Sequence, residues 1–267
     1  MAYGAGVPGL NKALREEDLE KSRTMYSITI SMELSTTANL PSYNRLPDDS
    51  QQPEISESHI HDLATLFVRN RAHRVFGIHL AHAHFAVPDK TVLLGVNHET
   101  PRCRWANATA FQAIDLDNVH GHIFVLTDHG FHPYEYQSGP VPDLSQVDDH
   151  FLAELAGFLN AYNLTTLVGL QVIDPYPGHM FELVLPQGTI MLDASSVDGC
   201  VPTRQTGWKF ETKSGEPRVC KSNETHARHA NGHDVFNAGA PHPKLEAFED
   251  VKHALEQQGI LSLCDVV

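Results

Sequence analysis

The spacing of apolar residues divides the chain into a few legible elements. Ile60, Leu63, Ala64 and Phe67 fall at i, i+3, i+4 and i+7, which predicts a helix over 57–71 with one buried face. Ser56 or Ser58 can cap its start. A second helix is expected over 148–162, with Phe151, Leu155, Phe158, Leu159 and Tyr162 as its stripe, and a third over 245–257 through Leu245, Phe248, Val251 and Leu255. Between the helices the pattern shortens to strand-like runs: 75–87, 91–96, 120–127, 164–173, 179–185 and 189–193. Turn residues separate 75–87 from 91–96 and 179–185 from 189–193, so each pair reads as a hairpin. Residues 133–136 read as a short extended piece.

Two regions lack such a pattern. Residues 1–55 read as an N-terminal arm and linker, with a short helix near 10–21, a strand over 26–34 and a polar, Pro-containing loop over 35–52. From 199 to 240 the chain becomes an irregular, His-rich segment. The expected organisation is therefore one α+β domain over 56–267, an antiparallel sheet of hairpins with two to three packing helices, because strands come in clusters rather than alternating with helices. A β-barrel with added helices is the alternative.

Composition narrows the function classes. A net charge of −14 over 267 residues excludes the basic footprint of a nucleic-acid binder and disfavours an anionic membrane surface. No run of apolar residues is long enough to span a bilayer, and the N-terminus lacks an apolar secretory core, so a cytoplasmic setting is expected. The four cysteines, Cys103, Cys200, Cys220 and Cys264, are scattered, consistent with free thiols. Histidine changes the picture most: there are 18, and protonating all of them would carry the formal charge from −14 to +4.

Several histidines sit where a metal would use them. His82 and His84 interrupt an apolar run, and strand alternation puts both on one face, with His79 pointing away. His120 and His122 repeat this arrangement, and if the two strands pair, four imidazoles converge. Cys220, His226, His229 and His233 form a third group, a thiolate with imidazoles that suits zinc. The bland alternatives are polar rows on solvated strands and a flexible His-rich loop. Glu182 lies inside an otherwise apolar strand, and a carboxylate facing a core needs a partner or a cation. Its bland reading is a solvent-facing position on a hairpin. Glu135 and Glu182 are the carboxylates placed for proton transfer.

Two resemblances bear on these residues. Ala81-His-Ala-His-Phe85, followed by Pro133-Tyr-Glu-Tyr136, resembles a group of uncharacterised fungal proteins with an L-H-x-H-F motif after a helix and a later P-x-E-aromatic motif; Ala81 stands here for the Leu. That resemblance implies no activity. His82-Ala-His84, four residues, Asp89, five residues, Gly95 is similar to the first cupin motif, with Asp in place of Glu. It implies a β-barrel and an iron dioxygenase. The function expected from all of this is a metal-dependent enzyme (lyase, hydrolase or oxygenase) acting on a small molecule through a zinc or iron site. The non-catalytic alternative is a His-rich metal-binding protein.

Overall fold

In the computed structural model, residues 43–261 are described apart from 187, 222, 231 and 237–241. The helix expected near 10–21 and the strand expected over 26–34 lie outside them. Three helices are described: α1 (Glu57–Arg69), α2 (Phe151–Ala161) and α3 (Phe248–Gln257). Twelve strands follow the chain as β1 (Phe76–Leu80), β2 (Thr91–Glu99), β3 (Arg102–Ala110), β4 (Val119–Thr127), β5 (Gly130–Ser138), β6 (Val168–Val172), β7 (Met180–Leu185), β8 (Gly188–Asp193), β9 (Val201–Trp208), β10 (Phe210–Lys213), β11 (Glu216–Val219) and β12 (Glu224–Arg228). The protein is mostly β.

Ten of these strands close into a barrel in the order β1-β6-β4-β5-β2-β3-β8-β7-β12-β9, while β10 and β11 form a separate hairpin. Most neighbours are antiparallel, but β2–β5 and β7–β12 are parallel. Two expectations are thereby corrected. The sheet is a closed mixed barrel rather than an open set of antiparallel hairpins, which is compatible with the barrel alternative. The expected hairpin of 75–87 with 91–96 does not form: β1 pairs with β6 and β9, and β2 with β3 and β5. The hairpin of β7 and β8 does form.

Period-two alternation explains where the core lies, because successive side chains point to opposite faces. Phe76, Ile78 and Leu80 of β1, with Val168, Leu170 and Val172 of β6, turn outward under α1 and α2. Cys103 and Trp105 of β3, with Leu183 and Ile190 of β7 and β8, turn outward against Val251 and Leu255 of α3. Apolar mass therefore collects between the barrel and its helices. The α1 face predicted from spacing is the face buried, and Ser56 caps it by accepting from the His59 amide at 3.2 Å. Phe67 is fully buried against Phe151 and Phe210, with ring centroids 4.9 Å away in both cases. Burying such a side chain contributes about 1.5–3 kcal/mol.

The inward positions are unusually polar. His79, Gln171, Glu182, Arg104, Glu135, Glu224 and His226 are all buried within the barrel. Arg104 holds two carboxylates, contacting Glu135 through Nη1 and Asp174 through Nε at 3.2 Å. Gly95 makes room for it: a Cβ there would lie 2.6 Å from Gln137 Oε1 and 3.0 Å from Arg104 Nη1. Residues 43–55 lie across one mouth of the barrel. Ala83 donates its amide to Pro47 O at 3.0 Å, and Arg204 donates to Asp49, Gln52 and Pro53. No helix among the described residues is long and apolar enough to cross a membrane.

Candidate metal centre

Three elements converge beneath residues 43–55. The chain leaving β1 forms a tight strip, pinned where Ala81 N donates to Leu167 O at 2.8 Å, and it carries His82 and His84. Glu182 projects inward from the middle of β7. His226 lies directly beside it on β12, because the parallel register pairs these two residues. One donor atom from each of His82, His84, Glu182 and His226 falls within 4.8 Å of all the others.

The individual contacts are closer. His82 Nε2 lies 3.0 Å from His84 Nε2 and 3.0 Å from His226 Nε2. Glu182 Oε2 lies 3.0 Å from His226 Nε2, and Oε1 lies 3.5 Å from His84 Nε2. The far side of each ring decides what faces inward. His82 Nδ1 donates to Leu80 O at 2.7 Å, and His226 Nδ1 donates to Asp49 Oδ2 at 3.0 Å. Both rings therefore present the Nε2 lone pair to the cluster, the arrangement by which outer partners fix metal-ligating imidazoles. Two such pairs face each other stably only with a cation between them. A proton on His226 or a divalent ion meets that requirement. Ligand atoms about 2.0–2.1 Å from a tetrahedral zinc stand roughly 3.3 Å apart, close to the spacing found here. Three imidazoles with one carboxylate suit zinc, iron and their neighbours, so these residues fit a divalent transition metal.

The electrostatics point the same way. Burial opposes a charge on His226, but hydrogen bonds to Asp49 and Glu182 and their charges outweigh it and raise its pKa to about 9. Burial likewise opposes a charge on Glu182, yet His226 and His84 hold its carboxyl well below the ordinary range. Asp49 is held low against burial by His226, His82 and Arg204. His82 goes the other way: burial keeps it neutral, with its pKa well below the usual value despite Glu182. The cluster is thus built to hold positive charge beside a fixed carboxylate.

Tyr43 and Tyr134 close the wall next to the cluster. Tyr43 Oη accepts from the His84 amide at 3.2 Å, while the buried Tyr134 hydroxyl has no protein partner. The space they border with Glu135 is only about 10 Å³, room for roughly one water. His233 packs against the cluster, its ring centroid 4.3 Å from that of His226 and 5.0 Å from that of His84.

The remaining residues singled out from sequence lie elsewhere. His120 and His122 sit on β4 at the opposite mouth, since β4 pairs with β5 and β6 and not with the strip that carries His82. Cys220 follows β11, half-buried, its amide donating to Lys209 O, away from the cluster. His229 follows β12 in an isolated bridge to Gly232. Of that group only His226, on β12, and His233 reach the centre. Glu182 was marked by its apolar strand, and its solvent-facing reading fails because it points into the barrel. Glu135 is engaged by Arg104. Asp49 carried no signal: it stands in a polar loop, 177 residues from the histidine that it orients. Comparison of the chain with protein-family models, curated proteins and solved structures finds no match.

Proposed function

We propose that this protein is a metal-dependent enzyme acting on a small molecule, with His82, His84, Glu182 and His226 holding a divalent transition metal, zinc or iron. The observation that carries the reading is that His82 Nε2 and His226 Nε2 face each other 3.0 Å apart, each ring fixed from behind by an acceptor at its Nδ1. Held by these four side chains, an ion would supply Lewis acidity and, at a coordination position beyond the four, a water of lowered pKa. The chain's own groups do the rest. Glu182 serves as a ligand, so proton handling falls to neighbours. The Tyr134 hydroxyl, buried and without a protein partner, is placed to donate a hydrogen bond to a substrate oxygen. Glu135 borders the same space and is paired with Arg104. The space beside the centre, bordered by Tyr43, has room for about one water, so residues 43–55 must shift to admit anything larger.

A cupin-type iron dioxygenase is the second reading. It is favoured by a His-x-His strip with a carboxylate and a third histidine inside a closed barrel, although the carboxylate is Glu182 and not the Asp89 of the motif-like stretch, which is exposed and outside the cluster. A non-catalytic metal-binding protein is the third. Cobalt(II) substitution separates a catalytic centre from a closed one. Visible bands of the cobalt(II) protein that shift on adding azide report a position open to an outside ligand, as catalysis requires. Bands indifferent to azide identify a closed, structural site and remove the enzymatic reading. The metal retained on purification without a histidine tag, zinc or iron, then distinguishes hydrolytic or lyase chemistry from oxygenation.

A further inference from the structure

The barrel has a second mouth, and nothing in the metal centre uses it. A cavity of about 510 Å³ opens there. Val75 borders it before β1 begins, whereas Ala81 leads into the metal-binding strip after β1 ends. Strand geometry, at about 3.3 Å per residue, sets these two positions roughly 20 Å apart. The volume lies within the range usual for small-molecule sites, about 300–1,000 Å³.

The floor of the cavity is built from buried polar groups with unmet hydrogen-bonding capacity. His122 is 1% exposed, and neither of its ring nitrogens has a protein partner. Gln137 Oε1, also buried, and Asn97 Oδ1 are unmatched as well. His120 donates from Nδ1 to Gly139 O at 3.1 Å, which leaves its Nε2 as an acceptor. Groups of this kind are rarely left unpaired in a folded protein, so several of them lining one hollow point to a ligand.

Their chemistry selects its class. Burial keeps His120 and His122 neutral. The Asp174 carboxylate, 3.9 Å from His122 Nε2, is balanced by Arg104. The rim carries Arg74 and Asp143, one charge of each sign. An anion would meet Asp174 and Asp143, and a cation would meet Arg74. The free atoms are carboxamide oxygens that accept and imidazole nitrogens that accept or donate. A hydroxyl can satisfy both kinds, since it donates one hydrogen and accepts two. We infer that this cavity binds a small, neutral, polyhydroxylated molecule of monosaccharide or cyclic-polyol size. The inference is independent of the metal centre.

Saturation-transfer NMR on the full chain tests it, with myo-inositol and D-glucose as neutral probes and inorganic phosphate and tetramethylammonium as charged ones. The expected result is saturation transfer to at least one neutral probe at millimolar concentration and none to tetramethylammonium, with no broadening of the phosphate resonance. Pro142→Trp, in the loop at the rim, should abolish the transfer by filling the cavity. Gln137→Leu should weaken binding about tenfold by removing the acceptor. Both variants should keep the metal content of the parent. Absence of transfer to both neutral probes, which means that the cavity holds water alone, would overturn the inference. So would transfer undiminished in Pro142→Trp, or preferential binding of either charged probe. The rim substitution keeps the inference testable if Gln137→Leu fails to fold.

Discussion

Asp49 offers the sharpest perturbation of the metal centre, because it stands outside the ligand set and meets it through the ring of His226. Its Oδ2 lies 3.0 Å from His226 Nδ1, while Oδ1 is held at 2.7 Å by Arg204. The carboxylate fixes the ring orientation and makes Nε2 a stronger donor. Loss of such an outer partner costs about 10–100-fold in metal affinity. Asp49→Asn keeps the shape and a neutral acceptor, so it should fall near the tenfold end, about 1.4 kcal/mol. Asp49→Ala removes the acceptor altogether and should approach a hundredfold, about 2.7 kcal/mol. Glu54→Ala is the control: Glu54 lies 3.4 Å from Arg204 Nε, its side chain is 82% exposed, and it has no contact with His226, so metal affinity should not change. The assay is competitive zinc titration against a chromophoric chelator at fixed pH. Affinities of Asp49→Asn and Asp49→Ala within twofold of the parent would refute the claim that Asp49 orients a ligand.

Three further outcomes follow from the same geometry. Stability of the metal-free protein should fall as pH drops from 7 to 5. Burial depresses His79 to about 4 from an unfolded value near 6.5, so the unfolded chain takes up the proton first; its contribution, on the order of 3 kcal/mol, is complete above 6.5 and gone below 4. His226, raised to about 9, has the opposite sign, stabilising below 6.5 and losing that effect as pH rises through 9, but His79, His82, His120 and His122 together outnumber it. Urea midpoints at the two pH values in chelator check this, and a higher midpoint at pH 5 contradicts it. Arg204→Ala, which frees residues 49–53 from the barrel mouth, should speed the stripping of metal by chelator; an unchanged rate would show that this segment does not guard the centre. Alkylation of Cys220 should proceed at one rate with and without metal, since the residue lies outside the cluster, and protection lifted by chelation would return it to the ligand set.

The parts of this fold that were legible in the sequence are those where local pattern and tertiary burial agree. The face of α1 is one: Ile60, Leu63, Ala64 and Phe67 are spaced for a helix and packed as one. β7 and β8 are another, because the chain between them is too short to do anything but turn back. Residues 199–240 were opaque because the barrel interior is polar. β9 and β12 send Arg204, Glu224 and His226 inward or to the mouth, so their apolar positions are too few to reveal a strand. β3 hid for the same reason, with Arg104 inside and Cys103 and Trp105 outside. Pairing was harder still. That β1 lies between β6 and β9 depends on contacts more than eighty residues apart, and no local rule encodes them. At the metal centre, His82 and His84 announced themselves by interrupting an apolar run, and Glu182 by the same logic. His226 was visible only as one member of a His-rich stretch, and the parallel register of β12 with β7 brings it to Glu182.

The central claim is that four side chains from three distant elements hold one metal ion. Elemental analysis of the protein purified without a tag, run beside His82→Ala, His226→Ala and the double variant, tests it most directly, with circular dichroism on the same samples to show that each is folded. The account predicts about one ion of zinc or iron per chain in the parent, most of it lost in either single variant and all of it in the double. Full occupancy in the folded double variant, or a parent that holds no ion after exposure to zinc and iron, would contradict it.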